Sequence, residues 1–152
     1  MRYTLLLLAV LSLTIRAVTQ DSGRVCVRHL DPPTQYPRIA RLARLQGSIV
    51  AKLKITSAGR VADVAVDTKD PVLVAHPILQ SEIRHLVKTW TFECQTCAPG
   101  ADFTHSITFN YRLEGTESEN AATRVSLDLP DKVTVVARPS IVYTTASQAK
   151  SK

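Results

Sequence analysis

Aromatic residues are scarce in this 152-residue chain, at 5% of the total with one tryptophan. The chain also has no dense Lys/Arg run, and a nucleic-acid surface interleaves both kinds of residue, so none is expected. The five glycines stand apart from one another, which leaves no phosphate-cradling loop. No nucleophile elbow and no paired catalytic carboxylates occur. His76, His85 and His105 are solitary, and His105 alternates with apolar neighbours as a packed strand histidine does. Neither an enzyme nor a cofactor is expected. The apolar stretch from Leu5 to Ile15 covers only 11 residues before Arg16, whereas a bilayer span takes about 20.

What is present begins with that stretch. Arg2, the apolar run and small residues at Ala17 and Thr19 read as a cleavable signal peptide over residues 1–20. A periplasmic or secreted location follows, and membrane association is expected only through partners or an uncleaved leader. Loss of Arg2 and Arg16 lowers the formal charge from +6 to +4, a mild excess that specifies no partner.

Residues 21–34 contain Asp31-Pro32-Pro33 and read as an extended lead-in. Pro37 suits the first position of a short helix and Gly47 its exit. In that helix Ile39, Leu42, Ala43 and Leu45 are expected to be buried, with Arg38, Arg41 and Arg44 pointing elsewhere. Ile49, Ala51, Leu53 and Ile55 then alternate with Val50, Lys52 and Lys54. The turn Ser57-Ala58-Gly59-Arg60 leads into a second alternating run, Val61 to Asp67, and the two form a hairpin. A single helical turn fits the loop at Asp70-Pro71. Pro77 opens a longer helix whose Leu79, Ile83, Leu86, Val87 and Trp90 share a face. After a loop from Cys94 to Ala101, Phe103 to Leu113 alternates again.

These elements predict an α+β two-layer sandwich. Its antiparallel three-stranded sheet, in the order α-β-β-α-β, is packed by two helices and followed by an appended C-terminal β segment. Residues 35–113 form the domain, 114–139 a linker with the appended strands Arg124–Leu129 and Lys132–Ala137, and 140–152 a disordered tail.

The run Gln35-Tyr36-Pro37, Leu45-Gln46-Gly47, Ser57-Ala58-Gly59-Arg60-Val61, His76-Pro77-Ile78-Leu79 and Trp90-Thr91-Phe92 resembles the carboxy-terminal domain of TonB-type energy transducers over Gln35 to Leu113. The resemblance implies a non-catalytic periplasmic module in envelope transport. Its protein partner would be an extended peptide of a membrane receptor or envelope protein, added to an exposed final strand. It assigns Ile107, Thr108, Phe109, Asn110, Tyr111 and Arg112 to the main-chain ladder and Gln35 and Tyr36 to its flank. Strand addition suits an edge because unpaired N–H and C=O groups accept a visitor of almost any sequence. The competing expectation is that residues 124–137 pair there and cover the edge themselves. No long membrane helix and no Pro-rich spacer accompany the domain, so the peptide-gripping half of the activity is what the resemblance carries.

Where the family has a proline after Trp-x-Phe, this chain has Glu93-Cys94-Gln95-Thr96-Cys97. In an oxidising compartment Cys26, Cys94 and Cys97 are disulfide candidates, either Cys94–Cys97 or Cys26 to one of them. A redox dithiol is disfavoured because the pair follows a helix end instead of preceding a helix. Cys26 and His29 with Cys94 and Cys97 also have the spacing of a structural zinc site, although no metal is expected.

Overall fold

The computed structural model describes residues 24–33, 35–119 and 122–143. The expected leader, residues 21–23 of the lead-in and the tail from 144 lie outside them. In chain order the elements are β1 (Val25–His29), α1 (Arg38–Leu42), β2 (Gly47–Ile55), β3 (Val61–Asp67), α2 (Pro71–Ala75), α3 (Ile78–Val87), β4 (Thr91–Cys94), β5 (Phe103–Leu113), β6 (Arg124–Asp128) and β7 (Lys132–Ala137). No helix among the described residues is long and apolar enough to cross a membrane.

The hairpin β2–β3 forms where the period-two pattern places it, with Leu53 opposite Val64. Its turn needs Gly59, which sits at φ +79°, a region that side chains disfavour. The Gly59 carbonyl accepts the Phe92 N–H at 2.8 Å. A Cβ on Gly59 would lie 2.1 Å from the Phe92 carbonyl oxygen, so the turn and β4 meet backbone to backbone.

Helix α3 covers one face of the sheet. Leu79, Ile83 and Val87 are fully buried at spacings of four, and Trp90 continues the stripe. The single turn α2 starts at Pro71 and is capped by Asp70, whose Oδ1 accepts the Val72 N–H at 2.8 Å. Beneath the helices lie Ile49, Ala51, Leu53 and Ile55 of β2, Ile107, Phe109 and Tyr111 of β5, and Val133, Val135 and Ala137 of β7.

The sheet departs from the expected three antiparallel strands. It has five, in the order β3-β2-β5-β7-β6, and the β5–β7 pair is parallel. The appended segment is a hairpin, as expected, but its second strand inserts between β5 and β6. Burial explains the order. Val133, Val135 and Ala137 each bring an apolar side chain to the core face, and a central position removes those side chains from water.

Two local expectations also change. Helix α1 spans under two turns, and Arg44 leaves it at φ 55°, so its apolar phase is not the one the spacing suggests. Ile39 is 65% exposed, whereas Ala40, Leu45 and even Arg41 are buried. Arg41 runs its stem along the core and its Nη1 donates to the Arg138 carbonyl at 3.5 Å. The lead-in is a strand, not only an extended arm: β1 pairs antiparallel with β4, a four-residue strand that starts within the Trp-x-Phe segment and runs to Cys94. The indole N–H of Trp90 donates to the Asp31 carbonyl at 2.9 Å and ties that arm to the core.

Candidate docking edges of the sheet

Strand β5 has neighbours on both sides. β2 pairs with it from Phe103 to Tyr111, and β7 from Thr108 to Leu113. The Thr108 N–H donates to the Asp131 carbonyl at 2.8 Å, where the hairpin joins. The Ile107–Arg112 ladder assigned from sequence is therefore not an open edge: from Thr108 onward its outer backbone row is taken by the chain's own β7. Ile107, Phe109 and Tyr111 turn their side chains into the core, Thr108 and Asn110 are half-buried on the other face, and Arg112 is exposed.

Of the flanking pair, Tyr36 is likewise engaged. Tyr36 is a core residue, 2% exposed, and its hydroxyl donates to the Leu45 carbonyl. Its ring stands edge-on to Tyr111, with centroids 5.2 Å apart and planes at 82°. Its backbone N–H donates to Thr123 Oγ1 at 2.9 Å, just ahead of β6. Gln35 is exposed beside it. Of the two residues implied to flank a visiting peptide, Tyr36 thus holds Thr123 of the chain's own C-terminal segment.

Burial raises the ionisation of both tyrosine hydroxyls well above the ordinary value; for Tyr111 the charges of Glu82 and Tyr36 add to it. An unfolded tyrosine ionises near about pH 10. Only the unfolded state loses these protons as pH climbs past that point, so the stability they confer is complete below it and declines above it. In an alkaline ultraviolet titration Tyr36 and Tyr111 should ionise only as the domain unfolds. Free ionisation of Tyr36 and Tyr111 at about pH 10 in folded protein would contradict this.

Cys94 and Cys97 are disulfide-bonded across Cα atoms 5.5 Å apart. Cys26 is a half-buried free thiol, opposite Glu93 in the β1–β4 ladder. The bridge uses two of the four ligands of the zinc alternative, and no cluster able to hold a metal occurs among the described residues. Arg28 bonds Glu93 at 2.8 Å on the same small sheet. That bond, and the charge behind it, hold the Glu93 carboxyl below its ordinary range.

Three concavities open on the surface of the described residues. One of 650 Å³ is lined by Glu114, Gly115, Arg124, Val136 and Arg138 among others, and one of 500 Å³ by Arg28, Arg60, Glu93 and the disulfide loop. A third, 260 Å³, lies on the open face between Ser48, Asn110 and Thr134. None of the three linings includes a histidine.

Two strands end the sheet, β3 and β6. β3 carries Asp63 and Asp67 on its outward face, charges of the kind that blunt an edge. β6 is different. Its core-side residues Val125 and Leu127 lie at the limit of the helical cover, Val125 half-buried and Leu127 41% exposed. Sequence reasoning missed β6 as the terminal strand. The available signal was the contrast between the nearly continuous apolar run Val133-Thr134-Val135-Val136-Ala137, which reads as a central strand, and the polar alternation of β6.

Among the described residues the fold is thus a mixed five-stranded sheet with an unpaired terminal strand at each side. The family described as Gram-negative bacterial TonB protein C-terminal matches residues 32–113, more than half of the chain, and the chain belongs to that family. The family is one of protein-interacting, transport-related domains. A curated relative, Protein TonB of Salmonella typhimurium, is 32% identical over 100 residues, which cover 66% of this chain and 37% of that protein. The chain thus matches little more than a third of that relative's length. The solution NMR structure of the Pseudomonas aeruginosa TonB CTD is similar at 27% identity with a TM-score of 0.45, covering 65% of this chain and 95% of that one.

Proposed function

We propose that this chain is a periplasmic, non-catalytic docking domain that takes an extended segment of an envelope or outer-membrane transport protein by β-strand addition, on the outer row of β6. The observation that carries the reading is the strand order: β7 fills the row beside β5, and the sheet on that side ends at β6 with Leu127 partly uncovered. A visitor there gains main-chain hydrogen bonds and shields Leu127. Family membership supports a protein partner in transport.

Proline scanning tests it. Backbone N–H groups alternate in direction along a strand, so of Val125→Pro and Ser126→Pro one removes only an outward donor and keeps the fold. With fluorescent peptides from the periplasm-facing ends of outer-membrane transporters, that folded variant should bind about tenfold more weakly than wild type, the loss of a main-chain bond with its register. Unchanged anisotropy titrations for the folded variant would remove β6 as the site. The pairing of β7 with Thr108–Leu113 favours a second reading, a structural envelope domain whose edge is self-covered. That reading predicts no saturable peptide binding at all.

A further inference from the structure

Two of the three concavities carry their own counter-charge: Glu114 lines one with Arg124 and Arg138, and Glu93 lines the other with Arg28 and Arg60. The third, on the open face of the sheet, does not. Arg112 and Lys132 line it together with Ser48, Asn110 and Thr134, and no carboxylate does. The ladders explain the grouping. Ser48 of β2, Asn110 of β5 and Thr134 of β7 stand side by side in one row across the sheet. Lys132 lies opposite Thr108 and Arg112 opposite Val136, one same-face position to either side of that row. The two cations thus start roughly 13 Å apart along the strand axis, and their long stems let both heads lean over Asn110 and Thr134.

The Ser48 hydroxyl donates to the carboxamide oxygen of Asn110, which leaves both Nδ2 protons for another group. An ammonium and a guanidinium have donors only. A ligand must therefore bring negative charge and several acceptors. A planar carboxylate offers two oxygens, whereas a phosphate monoester offers three, enough to meet Lys132, Arg112 and Asn110 at once. From this we infer that the pocket binds a phosphate monoester carried by a sugar or by a lipid. At 260 Å³ it is smaller than the roughly 300–1,000 Å³ of drug-sized sites, so it takes the head group and leaves the remainder in solvent. Acidic neighbours stand outside the lining. Asp128 lies opposite Lys132 in the β6–β7 ladder, and Glu114, 4.0 Å from Arg112 Nη1, is shared with Arg124. They keep the attraction modest, with a Kd of about 1 mM. The pocket lies on the face of the sheet, not on the outer row of β6, so the inference stands apart from the proposed function.

The test titrates the full chain with glucose 1-phosphate and follows backbone and side-chain amide NMR shifts. The shifts should saturate and be largest at Asn110 and Thr134. Lys132→Gln and Arg112→Gln should each weaken binding about tenfold, the loss of one charge-assisted contact. Lys54→Gln removes the same charge from the same face, opposite Thr104. That position is roughly 20 Å from Asn110 along the strand, beyond the Debye length of about 8 Å at physiological salt. Its effect should stay under about twofold. All three side chains are exposed, and circular dichroism checks that each variant folds. Sodium acetate should bind at least about tenfold more weakly than the sugar phosphate. A second arm sediments phosphatidylcholine vesicles with and without phosphatidic acid. Retention on the phosphatidic acid vesicles that Lys132→Gln reduces supports the site and assigns the phosphate to a lipid. Saturation by glucose 1-phosphate without such retention supports it and assigns a soluble ligand. The inference is overturned when neither arm shows binding that depends on Lys132. It is equally overturned when Lys54→Gln weakens binding as much as Lys132→Gln does, or when acetate binds as tightly as the sugar phosphate.

Discussion

Val135→Asp is expected to unfold the whole domain, not its C-terminal hairpin alone. Val135 is fully buried in the same core as Phe109, Leu45 and Trp90, and the register sets it between Tyr111 on β5 and Val125 on β6. A carboxylate there has no cationic partner in its strand neighbours, and burying it should cost more than about 4 kcal/mol. That is a large part of the roughly 5–15 kcal/mol that holds a domain together. Thr134→Asp, on the opposite face of β7, should cost about 1 kcal/mol or less. Urea unfolding followed by circular dichroism and by Trp90 fluorescence would compare them. Should Trp90 keep its wild-type midpoint in Val135→Asp while strand signal is lost, the hairpin is a separable unit and β5 can be bared.

Trp90→Ala should cost about 3–5 kcal/mol, the range for removing a large buried aromatic. The indole is 1% exposed and packs beside Phe92 and Phe109, with centroids 6.3 and 6.0 Å away. It also carries the hydrogen bond to the Asp31 carbonyl. Trp90→Phe keeps part of the packing and drops that donor, so it should lie between wild type and alanine. In both variants amide exchange along β1 should quicken, because the arm loses its tie to the core. A cost under about 1 kcal/mol for Trp90→Ala would show that the site collapses to fill the space.

Much of the central domain was legible because its patterns are long. Nine residues of β2 and eleven of β5 alternate cleanly, and α3 repeats its apolar positions for more than two turns before Trp90. Short elements gave no such averaging. Five residues of α1 cannot fix a helical phase, which is why Ile39 and Arg41 exchanged their expected places. Four residues of β4 were too few to separate a strand from a helix end. The Cys94–Cys97 bridge was among the pairings that spacing and compartment left open.

The docking edge was hidden for a different reason. Alternation states which side of a strand meets the core, but it is silent on which strand lies beside it. Tyr36 showed a similar limit, since a tyrosine before a helix serves a partner's backbone or its own core equally well. Here Leu45, Thr123 and Tyr111 engage it from within the chain.

The insertion of β7 beside β5 ties the closure of the sheet to covalent connectivity. That strand is the last regular element described, and residues 114–123 link it and β6 to the older half of the domain. As the chain emerges on the side of the membrane where it folds, β5 would come out with its flank bare and be sealed only once residue 137 had followed. A protease cut within 114–123 would turn the seal from an intramolecular contact into a bimolecular one, subject to dilution. Residues 114–123 thus stand between a sheet sealed by its own chain and one whose β5 row from Thr108 onward would lie open.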